Sequence, residues 1–152
     1  MPNKESNMSY EQHYRQLESM YHAAPINKIF PPNITIEKGQ STIVVEMKDD
    51  YFHSAGAVHG SVYFKLLDDA AFFAANSLET TYFVLTSSFN TYITRPISTG
   101  TMKAVGKVVN STKSQFIVES IAYDERGKDI ARGSGIFVRG KLPLVDAKGY
   151  QD

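Results

Sequence analysis

YFHSAGAVHGSVYFKLLDDAAFFAANS, Tyr51 to Ser77, decides the fold. From about Gly60 to Leu78 its residues predict one helix of roughly five turns, apolar around most of its circumference. Such a helix must be buried on several sides. At its centre stand two adjacent carboxylates, Asp68 and Asp69, and before it two histidines are spaced around glycines. Packing alone accounts for neither.

The flanks say what covers the helix. Upstream, Asn33 to Lys48 reads as two strands around a Lys38-Gly39 turn, and Asp49 to Val58 is loop-like. Downstream come four β-like runs, starting with Tyr82 to Ile97. They are separated by turn signals at Gly100, at Asn110 to Lys113, and at Asp124 to Gly127. Nearer the N-terminus, Ser9 and Gln12 fit a capping box ahead of a short amphipathic helix from about Tyr10 to His22, with Tyr10, Tyr14, Leu17 and Tyr21 at helical spacing. The chain is therefore expected to be α+β: an antiparallel sheet of about six strands wrapped around one long central helix, with an extra N-terminal helix. Residues 1–30 form an N-terminal helical extension, 31–140 the main domain, and 141–152 a loose tail.

With 152 residues, 42% apolar and 21% charged, the chain suits one globular domain. Its zero net charge argues against nucleic acid or a membrane surface as partner. The charge is uneven: residues 101–141 hold eight Lys/Arg and four acids, a surplus of +4. That is either solvated strand surface or a modest site for a phosphorylated small molecule. Without cysteine there is no disulfide, thiol nucleophile or thiolate metal site. The first residues lack the apolar core of a signal peptide, so a cytoplasmic location is expected.

Asp69 lies four residues after Lys65 and can pair with it near solvent. Asp68 points about 100° away, among Phe64, Ala71 and Phe72, where a carboxylate is costly unless paired or put to use. It is either in a structural ion pair with Lys65 or a general base or nucleophile with a raised pKa. At the helix start, the N–H groups of Gly60 and Ser61 make either an oxyanion hole or an ordinary loop-to-helix junction, and Gly56 allows an unusual backbone. His53 and His59 read as site, capping or core histidines; with no well-placed third ligand, no metal is expected.

Gly60 and Asp68 are eight residues apart, about 12 Å along one helix. One reacting carbonyl cannot touch both. If both act on one substrate, a second copy must supply one of them, which predicts a homodimer with two equivalent shared sites. A dimer is the minimum; a tetramer remains open.

HSAGAVHGSVYFKLLDDA resembles the signature of hot-dog fold acyl-CoA thioesterases of the PaaI-like group, within the 4-hydroxybenzoyl-CoA thioesterase superfamily. That pattern is roughly Asn-x-x-Gly-x-x-His-Gly-Gly with an acid nine residues after the His. Here it runs His53, Gly56, His59, Gly60, Ser61, Asp68. The segments SSFNTYITRPISTGTMKAVGKVV and SIAYDERGKDIARGSGIFV resemble the later strands of the family, so the likeness covers about 33–138. It implies a hot-dog fold, an acyl-CoA substrate and no separate cofactor, CoA being part of the substrate. It implies that Asp68 activates water or attacks the thioester, that the Gly60 N–H polarises the carbonyl, that His59 lines its thiol side, and that Thr86 holds the water. His53 replaces the usual Asn, and Ser61 the second Gly.

Three readings follow: an acyl-CoA thioesterase; a protein that binds acyl-CoA or another apolar ligand without turnover, favoured by His53 and Ser61; and a purely structural interaction domain. Arg95, Lys103 and Arg132 are candidate CoA contacts by charge alone.

Overall fold

The computed structural model describes residues 4–151, with side chains from residue 10 onward. Helix α1 (Lys4–Ala23) leads into a 3-10 turn (Pro25–Lys28). Strands β1 (Pro32–Glu37) and β2 (Gln40–Glu46) follow, then helix α2 (Gly60–Ser77). Four strands complete the chain: β3 (Tyr82–Ile93), β4 (Thr101–Ser111), β5 (Gln115–Tyr123) and β6 (Asp129–Pro143). All strand pairs are antiparallel, in the order β1-β2-β4-β5-β6-β3. The sheet wraps α2, as the sequence predicts, and β3 lies at its edge.

Small side chains make the wrapping close. Ala70, Ala71, Ala74 and Ala75 are wholly buried on the sheet side of α2. Opposite them on β4, a Cβ at Gly106 would lie 2.5 Å from the backbone C and O of Ala70, so glycine alone fits there. On β5, the Ser120 hydroxyl donates to the Leu67 carbonyl at 2.8 Å and ties the strand to the helix backbone. Strand alternation sorts the rest. Met102, Ala104, Val118 and Ala122 point in and are buried, while Lys103, Lys107 and Glu119 point out. The predicted Lys38-Gly39 turn joins β1 to β2, with Gly39 at φ 68°.

Three expectations need correction. Helix α1 starts at Lys4, so Ser9 and Gln12 lie inside it and do not cap it; the Ser9 side chain is outside the described residues. Tyr14, Leu17 and Tyr21 are buried but Tyr10 is exposed, so the apolar spacing of α1 marks its buried face only from the second of these positions onward. Strand β3 stops at Ile93, before the backbone bends at Arg95. The end of the chain is not loose. β6 runs to Pro143, Leu144 is buried and its N–H reaches the Thr81 carbonyl. Tyr150 is buried against His13. His13 Nε2 donates to the Asn76 carbonyl at 2.8 Å, which leaves Nδ1 to accept from the Tyr150 hydroxyl. One imidazole thus joins α1, the end of α2 and the C-terminal segment.

Candidate active site

Two groups of predicted residues form on α2, one at its start and one midway. At the start, His59 is the N-cap. Its Nδ1 accepts the Ser61 N–H at 3.0 Å and lies 2.8 Å from the Ser61 hydroxyl. The histidine therefore uses one of the two donors that the sequence assigns to an oxyanion hole. The Gly60 N–H has no acceptor among the described residues. A Cβ at Gly60 would sit 3.2 Å from the Ile93 side chain, so the glycine keeps this end open.

The loop before the helix is held by its own backbone. Gly56, at φ 83°, closes a turn by donating to the His53 carbonyl. His53 Nδ1 accepts the Ala55 N–H at 3.1 Å, and its ring is exposed. Tyr63 locks the far side: its hydroxyl donates to the Arg95 carbonyl and accepts the Ile97 N–H. This brings Arg95 to the N-terminal end of α2. A groove of about 600 Å³ runs past His59 and Ser61, with Lys28 and Lys48 among its walls.

Two turns further on, Asp68 is half-buried. Thr86 Oγ1 donates to its Oδ1 at 3.0 Å, and Oδ2 has no hydrogen-bond partner among the described residues. Burial pushes the carboxyl up to about 6. The Thr86 hydrogen bond opposes the rise, the nearby Asp69 charge adds to it, and Lys65 opposes it. The Lys65 ion pair belongs to Asp69, at 2.6 Å, and among the described residues Asp68 has no cationic partner.

Thr86 reaches Asp68 because it shares the inward face of β3 with Val84, just before a β-bulge. Thr86 opposes Phe137 and Ser88 opposes Ile136, so Ser87 is the extra residue. The bulge resets the alternation. Val84 and Thr86 face the helix before it, and Phe89, Thr91 and Ile93 after it. A bulge has no reliable sequence signal, and the assignment of Thr86 came from resemblance alone.

Sequence reasoning missed a polar cluster beside Asp68. Tyr21 on α1 donates to Asp69 at 2.6 Å. Lys65 donates to Asn27 of the 3-10 turn at 2.7 Å, and Asn27 donates to the Tyr21 carbonyl. The Lys65–Asp69 spacing was legible; its partners from α1 and the turn lie some 40 residues away and were not. Next to this cluster is an apolar cavity of about 340 Å³ that reaches Asp68 and Thr86. Lys103 and Arg132 are elsewhere. Both project from the outer face of the sheet, one over the Tyr123 ring and the other paired with Asp129. Alternation along β4 and β6 turns them away from α2.

No helix among the described residues is long and apolar enough to cross a membrane. No curated protein matches the chain by sequence. Among solved structures, the E. coli PaaI protein from the phenylacetic acid degradation operon superposes with a TM-score of 0.80 at 18% identity, covering 88% of this chain and 97% of that one. A mutant of the thioesterase PA1618 from Pseudomonas aeruginosa gives 0.74 at 14% identity, covering 86% and 94%. A mutant of the phenylacetic acid degradation protein PaaI from Thermus thermophilus gives 0.70 at 20%, covering 76% and 99%. At these identities the likeness establishes the shared hot-dog fold. The family model described as the thioesterase superfamily matches residues 55–131, just over half of the chain, from the turn before α2 into β6. The chain belongs to the thioesterase superfamily.

Proposed function

We propose that the protein hydrolyses acyl-CoA thioesters at sites shared between two copies of the chain. The observation that carries this reading is Asp68: a carboxyl with its pKa raised to about 6, one oxygen held by Thr86 and the other free, beside an apolar cavity. Ionised at neutral pH, it is basic enough to take a proton from water. The water oxygen adds to the thioester carbonyl carbon, and the Gly60 N–H donates to the oxyanion. Collapse breaks the C–S bond; the proton held by Asp68 goes to the departing sulfur. Direct attack by Asp68 through an anhydride is the variant of the same assignment. Neither route calls for a metal or a further cofactor.

About 12 Å separates Gly60 from Asp68 on α2, so each site draws the two from different subunits. Strand β3 supports an assembly. It is twelve residues long, one edge is unpaired, and Leu85, Tyr92 and Ile93 are exposed on it. His59 lines the thiol side of the carbonyl. His53 and Ser61 border it, and Gly56 shapes the turn. The CoA phosphates follow the groove containing Lys28 and Lys48, with Arg95 nearby; Lys103 and Arg132, on the outer face, are weaker candidates.

A thiol-release assay over a panel of acyl-CoAs tests the reading. Asp68→Asn is expected to lower kcat/KM by at least ~100-fold. Equal activity in wild type and variant would remove Asp68 from the mechanism. The second reading, binding without turnover, draws on His59: by capping Ser61 it leaves one oxyanion donor where the sequence suggested two. Tight binding of acyl-CoA with no thiol release would select it.

A further inference from the structure

We propose that the N-terminal segment sets the size of the acyl group, with Met20 on α1 and Ile26 on the 3-10 turn as the limiting walls; this rests on the thioesterase reading above. The cavity at Asp68 is bounded by Met20, Tyr21 and Ile26 on one side and by Phe72 and Phe83 on the other. Its polar groups are nearly all satisfied. Asp69, Tyr21 and Asn27 bond to one another and to Lys65, and Thr86 is bonded to Asp68. Oδ2 of Asp68 and Oδ1 of Asp69 have no hydrogen-bond partner among the described residues. Such a lining suits an apolar occupant and would reject the charged part of CoA. The apolar group that a thioester brings to Asp68 is its acyl chain.

Volume sets the limit. An enclosed cavity of about 150 Å³ holds benzene, so this open-mouthed one of about 340 Å³ covers an acyl group roughly twice that size, about ten to twelve carbons. The wall is preorganised. Lys65 and Asp69 on α2 grip Asn27 and Tyr21, so the turn carrying Ile26 is fixed to the helix carrying Asp68. Ile26 is 53% exposed and stands at the mouth, whereas Met20 is 6% exposed and stands at depth.

The test compares kcat/KM over straight-chain acyl-CoAs from four to sixteen carbons. Wild type is expected to fall off beyond about twelve carbons. Met20→Ala should move that limit longer and Ile26→Trp shorter, each changing the eight-to-sixteen-carbon preference by at least ~10-fold. An unchanged chain-length profile in both folded variants overturns the proposal. Ile26 is exposed, so its replacement does not depend on a rebuilt core. If wild type hydrolyses no thioester, the thioesterase reading has failed and binding decides the cavity alone. With methyl-labelled methionine, octanoate should shift the Met20 signal, and Ile26→Trp should weaken that binding at least ~10-fold. No shift in wild type overturns the proposal as well.

Discussion

Thr86 Oγ1 donates its hydrogen bond to Asp68, and a donor of this kind favours the ionised form. Burial acts the other way and dominates, which places the carboxyl at about 6. A base must be unprotonated to work. Activity is therefore expected to rise with pH through about 6 and to fall tenfold per unit well below it. Thr86→Val keeps the shape and deletes the donor, so the acid limb should move upward, and the loss of activity should be larger at pH 6 than at pH 8. A pH profile of kcat/KM measures both; a midpoint that stays in place would show that Thr86 does not act on Asp68. The special status of Asp68 was only partly legible in the sequence: helical spacing turned it away from Asp69 but left Lys65 within reach of both, and the structure gives Lys65 to Asp69. What held it was not legible, since no local pattern pairs Asp68 on α2 with Thr86 on a strand eighteen positions later.

At the scale of elements, the close contact between α2 and β4 is the feature most sensitive to a single atom. An added Cβ at Gly106 would meet the Ala70 backbone at 2.5 Å, and neither backbone can yield without moving its element. Gly106→Ala is expected to destabilise the fold by about 2–3 kcal/mol, lowering Tm by roughly 5–10 °C in a thermal melt. A melt within about 1 °C of wild type would mean that the sheet relaxes away at little cost. The apolar girth of α2 made a wrapped helix readable from sequence, and turn residues placed most of the strands. The alanine face of α2 and Gly106 on β4 could be paired only once the register was known. The two ends of the chain were the least legible. Helix α1 runs past its apparent cap, and the C-terminal segment is anchored by His13 and Tyr150 across 137 positions, a contact that no local pattern signals.

The whole molecule poses a question of symmetry, because the free donor and the raised carboxyl sit too far apart on one helix to serve one carbonyl. Gly60→Pro removes the donor and suits the helix start, although its ring also narrows the open end beside Ile93. Proline is favoured at the first helical position, His59 already has φ −64° and ψ 143° as the residue before a proline requires, and only the tip of Ile93 is near. Asp68→Asn removes the base. Each variant alone should be inactive. In a dimer built from one chain of each, one site receives the intact Gly60 of one chain and the intact Asp68 of the other, while the second site receives both defects. Random mixing makes half the dimers mixed, so roughly a quarter of wild-type activity should return after the two variants are unfolded and refolded together. If each chain held a complete site, every site in the mixture would carry one defect and nothing would return. Light scattering on the same samples supplies the control. Activity regained in a dimer establishes the shared site, and a mixture that stays inactive although its dimers exchange subunits removes it.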